Sequence, residues 1–127
     1  MGILYTIFVT FLLNLNTTSE IPYTFLENAF TENNARDIVV MGKDKILFNI
    51  LGSEGAYSHS QATLILKDFF VKKPGISFKF IFKGKETAEG SFAIGTYATK
   101  TESFRITIQF KKISSDFKIE SLTIEKI

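Results

Sequence analysis

With 127 residues, 45% of them apolar and 22% charged, the chain is long enough to close one hydrophobic core and too apolar to be a disordered chain. The absence of cysteine excludes a disulfide, a thiolate metal site and a cysteine nucleophile, and fourteen phenylalanines against no tryptophan build an interior of rings without polar atoms. The net charge is +2, with Glu20, Glu27, Glu32, Asp37, Asp44 and Glu54 dominating up to residue 63 and lysines thereafter. Those lysines alternate with apolar residues, as on the solvated face of a sheet, and a single arginine, Arg105, stands among them. A nucleic-acid surface, where arginine and aromatics interleave at higher pI, is not expected.

Met1 to Leu15 carries no charged side chain. The run is shorter than the roughly 20 apolar residues that span a bilayer. It matches the apolar core of an export signal, followed by the small and polar Asn16-Thr17-Thr18-Ser19, so residues 1–19 are predicted to be a signal peptide cut ahead of Glu20. The alternative is an uncleaved anchor, because a basic residue before the run is missing and the cut site is not of the Ala-x-Ala type. A lipid-modified cysteine is excluded. The mature chain, 20–127, is then one domain exported to the periplasm or cell envelope.

Ile21 to Phe30 reads as a short helix with Phe25, Leu26, Ala29 and Phe30 on one stripe. Thr31 to Asn34 breaks the pattern, and Asn34 can cap a second short helix running to about Met41. Lys45 to Leu51 alternates as a strand, Gly52 to Gly55 is a turn, and Ala56-Tyr57 returns. Ser58-His59-Ser60-Gln61 has the form of a capping box, and the helix that follows places Ala62, Ile65, Leu66, Phe69 and Phe70 on one stripe until Lys72-Lys73-Pro74-Gly75 stops it. Four strands follow. Ile76, Phe78, Phe80 and Phe82 alternate with Ser77, Lys79, Ile81 and Lys83. Ser91 to Thr99 carries the small residues Ala93, Gly95 and Ala98, which permit a bend or a close approach. Phe104 to Lys111 alternates again. In the last strand the parity changes between Ile119 and Leu122, which predicts a bulge near Glu120-Ser121.

Short connections among these strands predict an antiparallel meander with the helices on one face, an α+β sandwich. The expected core is Phe25, Leu26, Phe30, Phe48, Ile65, Leu66, Phe69, Phe78, Phe80, Ile94, Ile106, Ile108, Ile119 and Leu122. The many phenylalanines fit either a packed interior or an apolar pocket left partly open.

The segment Gly55-Ala56-Tyr57-Ser58 through Leu66-Lys67-Asp68-Phe69-Phe70 carries a resemblance. So do Ser77-Phe78-Lys79, Phe92-Ala93-Ile94-Gly95-Thr96, Phe104-Arg105-Ile106 and the ending Phe117 to Glu125. In this order the blocks are similar to the domain-of-unknown-function family 4783, small exported bacterial proteins. The resemblance implies a nuclear-transport-factor-2-like, or cystatin-like, cone: a bent antiparallel sheet packed on about three helices. It brings no catalytic motif with it.

The lone histidine, His59, sits just inside a helix N-terminus with no carboxylate or second ligand at metal spacing, so neither catalysis nor a metal site is expected of it. Gly52-x-x-Gly55 lacks the lysine and hydroxyl of a phosphate loop. No cofactor is expected and no catalytic residue is assigned. Two functions follow. One is a non-enzymatic module of the cell envelope that holds a small apolar ligand in the cone or assembles through its sheet. The other is a small acid–base enzyme, an isomerase or hydrolase, with its site in the cone. Tyr23, Asp37, Tyr57 and Tyr97 are the pocket candidates, with Asp68 read as a solvated helix residue. On the outward sheet face, Ile81 and Tyr97 are the apolar exceptions among polar neighbours, which predicts a weak homodimer there. The alternative is a lone surface isoleucine.

Overall fold

A computed structural model describes residues 20–127. The predicted export segment, 1–19, lies outside the described residues.

Three helices and six strands follow in the order α1 (Tyr23–Thr31), α2 (Ala35–Val39), β1 (Gly42–Ile50), β2 (Ser53–Ser58), α3 (His59–Lys72), β3 (Gly75–Lys83), β4 (Gly90–Thr99), β5 (Ser103–Ile113) and β6 (Asp116–Lys126). The sheet order is β2-β1-β6-β5-β4-β3. β3 to β6 form the expected antiparallel meander, and β1 and β2 form an antiparallel hairpin. The hairpin joins the meander through a parallel pairing of β1 with β6, so the sheet is mixed at this one seam. The helices cover one face of a bent sheet, which gives the α+β cone.

Local chemistry explains the elements. Asn33, in the left-handed region at φ 56°, ends α1, and its amide group both donates to the Gly75 carbonyl and accepts from the Gly75 N–H. Asn34 caps α2 by accepting from the Asp37 N–H. Ser58 and Gln61 form the predicted capping box at the start of α3. The first hairpin turns tighter than expected. Leu51 and Gly52 both take positive φ, 52° and 90°, so the turn has two residues and β2 begins at Ser53. The expected bulge in β6 is present: Phe110 faces Ile119 while Gln109 faces Ser121, leaving Glu120 unpaired in the register. This keeps Phe117, Ile119, Leu122 and Ile124 on the buried face.

The core is the seam between this face and the helices. Leu26 and Phe30 of α1, Leu66, Phe69 and Phe70 of α3, and Phe78, Phe104, Ile106, Ile108, Ile119 and Leu122 of the sheet are all buried. Gly95 lets the Phe78 ring lie across β4, where an added Cβ would meet it. Phe78 then stacks on Phe30 at a ring-centroid distance of 4.5 Å. Four of the expected core residues shift outward, and two of the alternating apolar residues of β3 are exposed. Phe25 is 42% exposed, because α1 buries only the narrower stripe of Leu26, Ala29 and Phe30. Ile65, Phe80 and Ile94 are half-buried, with Ile94 on the outer face between inward Ala93 and Gly95. Ile76 and Phe82 are exposed.

The last change has a local cause. A bulge between Phe80 and Phe82 inserts Ile81 into β3. Beyond it the parity inverts, so Phe82 turns outward, opposite Ile94, and Lys83 turns inward with its Nζ 4.7 Å from the Tyr23 ring centre. β3 is an edge strand, and α1 closes its free edge: the Phe80 N–H donates to the Glu27 carboxylate at 3.0 Å.

Candidate functional site

The end of the sheet that carries the β1–β2 turn is where the inner face is not filled. There α3 and the hairpin stand apart over a cleft of about 300 Å³. Phe48 and Ile50 of β1 and Ile65 and Phe69 of α3 form its apolar walls, with Leu51 at the turn. Tyr57 and Ser53 of β2 bring hydroxyls, and Asp68 and Lys72 stand at the mouth. The positions follow from the two periodicities. Phe48 and Ile50 are two apart on a strand, and Ile65, Phe69 and Lys72 are four and three apart on a helix, so each set shares one face. The Tyr57 ring tilts against Phe48 at 5.9 Å.

Asp68 and Lys72 form an i,i+4 ion pair at 2.9 Å, with most of each side chain in solvent. The cleft is therefore apolar in depth and charge-balanced at its rim. Asp68 and Tyr57 line the same cleft, but the carboxylate stands mostly in solvent and is already paired with Lys72.

Of the four tyrosine and aspartate candidates, Tyr57 alone lines this cleft. Tyr23 opens α1 at the far end, its ring edge-on to Phe80 at 5.0 Å. Its hydroxyl is buried beside that of Ser91, and burial, then the Glu86 carboxylate, push the phenol's pKa up against the opposing effect of the Ser91 hydroxyl. Asp37 is a capping residue: its carboxylate accepts from the Asn34 side-chain amide at 3.0 Å while its N–H donates back. Tyr97 is fully buried. It faces inward, donating toward Asn33 Oδ1 at 2.6 Å and the Lys73 carbonyl at 2.7 Å, and burial pushes its pKa up to about 12. That corrects the pairing of Tyr97 with Ile81 on the outer face. Ile81 is outside and 66% exposed, but Tyr97 lies on the other side of the sheet, directly opposite Phe78.

His59 is structural. Its Nε2 lies 2.8 Å from the Lys43 carbonyl and ties the start of α3 to β1. Among the described residues no group of histidine and carboxylate side chains could hold a metal, and no helix is long and apolar enough to cross a membrane. The residues that sequence reasoning missed are Leu51, Ser53 and Lys72. Their signal is the two-residue turn and the helix end, which matter only once α3 is laid over the hairpin.

A bent sheet wrapped on three helices with an open end defines the nuclear-transport-factor-2-like and cystatin-like class. The chain belongs to the family described as "Domain of unknown function (DUF4783)", whose model matches residues 24–125. It is similar to the crystal structure of a family protein from Bacteroides ovatus, with 29% identity, TM-score 0.78, 86% of this chain and 97% of that one covered. A family protein from Bacteroides uniformis is 25% identical with TM-score 0.78, over 85% of this chain and 98% of that one. A domain with a cystatin-like fold from Nostoc punctiforme, 10% identical with TM-score 0.66 over 82% and 72% of the two chains, shares the fold alone. None of the curated proteins compared matches the chain.

Proposed function

We propose that this protein is a non-enzymatic binding module that holds a small apolar ligand in the cleft between α3 and the β1–β2 hairpin. The observation that carries the reading is the cleft itself: about 300 Å³ lined by Phe48, Ile50, Leu51, Ile65 and Phe69. That is the lower end of the range of small-molecule sites, apolar with a few polar groups at the rim to orient the occupant. Tyr57 and Ser53 supply those groups, and the Asp68–Lys72 pair can answer a polar head of either sign. Read with residues 1–19 as an export signal, the module works in the periplasm or cell envelope.

The acid–base alternative has one observation in its favour, the shared lining of Tyr57 and Asp68. A solvated, ion-paired carboxylate supports it poorly.

Native mass spectrometry of the protein purified from its own cells tests the binding reading. A co-purifying small molecule is expected, and Ile65→Trp, which fills the cleft from a half-buried position, should lose it while melting at a similar temperature. A wild-type chain that carries nothing, or an Ile65→Trp chain that keeps its ligand, overturns the proposal.

A further inference from the structure

The end of the sheet opposite the cleft carries an unusual outer face. The β3 bulge turns Phe82 out beside Phe92, ring centres 5.2 Å apart, and leaves Ile81 exposed; the three are 47%, 42% and 66% exposed. Further toward the β5–β6 turn, on the same face, comes Ile113, also exposed. Between these apolar groups stand Lys111 and Lys118, direct partners across β5 and β6 with their side chains on one face. Like charges directly opposite destabilise a sheet. Asp116, paired with Ile113 in the register, adds one carboxylate at the turn beside the two lysines.

This is also the end at which the chain enters the domain. Ile21 is buried and the Tyr23 ring packs against Phe80 and Phe110, under the Lys83 ammonium.

We propose that this end of the domain rests on an anionic lipid surface, with Phe82, Phe92 and Ile113 in the interfacial layer and Lys111 and Lys118 on lipid phosphates. Apolar groups flanked by lysines are the chemistry of interfacial binding. A second copy of the chain fits less well. A symmetric contact would bring this lysine pair against the same surface of the partner, adding like charge to like charge, whereas an anionic surface attracts it. The cleft then opens on the side away from the bilayer.

The absence of cysteine makes the test direct. Chains with Ser115→Cys or Thr101→Cys, each carrying a nitroxide, are mixed with phosphatidylcholine vesicles with and without phosphatidylglycerol. The label at 115 should lose access to a water-soluble relaxation agent when the anionic lipid is present, and regain it at high salt, while the label at 101 stays in water. Lys111→Gln and Lys118→Gln should each lower the docked-to-free ratio roughly fivefold. Phe82→Ser with Phe92→Ser should abolish docking with the melting temperature little changed, since both rings are already half in solvent. Equal accessibility of the two labels in anionic vesicles overturns the proposal. So does a detergent-solubilised dimer that the Phe82→Ser, Phe92→Ser chain loses in sedimentation while label depth in vesicles is unaltered, because the patch then belongs to a second copy.

Discussion

Tyr97 shows how much one side chain can organise. Its ring fills the core between Phe69, Phe70 and Phe104, and its hydroxyl reaches the junction where α1 ends, α3 ends and β3 begins. Removing the hydroxyl leaves the Lys73 carbonyl short of a donor inside the protein and Asn33 Oδ1 with the Gly75 N–H alone. Tyr97→Phe should therefore cost about 1–3 kcal/mol in urea unfolding. The phenol also sets an alkaline limit. Its pKa rises from 10 to about 12 on folding, so the folded chain holds the proton more tightly than the unfolded one. The associated stability is complete below pH 10 and is lost as pH climbs from 10 toward 12, a fall of about 2 kcal/mol. Unfolding midpoints across that range should decline less steeply in Tyr97→Phe than in the wild type.

At the scale of elements, β4 is shaped by what it lacks. Gly95 has no Cβ, and the Phe78 ring occupies that space on its way to the stack with Phe30. Gly95→Ala forces the ring off β4 and breaks the contact between α1 and β3, so thermal or urea unfolding should show a loss of about 1–3 kcal/mol. Ala98→Val, on the same strand but the outer face, should cost far less. The β3 bulge acts in the other direction. It adds a residue where a regular strand would have kept Phe82 in the core, and so exposes an aromatic pair at the edge of the sheet.

For the whole molecule, the meander and the hairpin differ in how they are held. β5 and β6 are central, each hydrogen-bonded on both sides, whereas β2 is an edge strand paired only with β1. Amide exchange should be slowest in β5 and β6 and fast in β2. A ligand in the cleft should slow exchange in β2 and in the last two turns of α3, leaving β3 and β4 unchanged. Ends tied down by ions support this picture: Glu102 bridges Lys73 at the end of α3 and Lys126 at the end of β6, at 2.6 and 3.0 Å, and is held below the usual carboxylate range by those two hydrogen bonds.

What the sequence by itself determined was whatever is written in short-range pattern. The strand alternations, the Asn34 cap, the Ser58–Gln61 capping box and the parity change at Glu120 each involve residues a few positions apart, and each is visible without knowing what packs against it. The blocks shared with the family carried the class of fold in the same way. Only the tertiary structure decided the rest. The parallel seam between β1 and β6 joins segments more than seventy residues apart, and no local period records it. The β3 bulge was hidden because Phe80, Ile81 and Phe82 are all apolar, so a one-residue slip leaves no polar residue on the wrong face to reveal it. Tyr97 could face either way until Asn33 and Lys73 were brought to its hydroxyl. The cleft is the space left where α3 and a two-residue hairpin do not meet, and a space has no residue of its own to announce it.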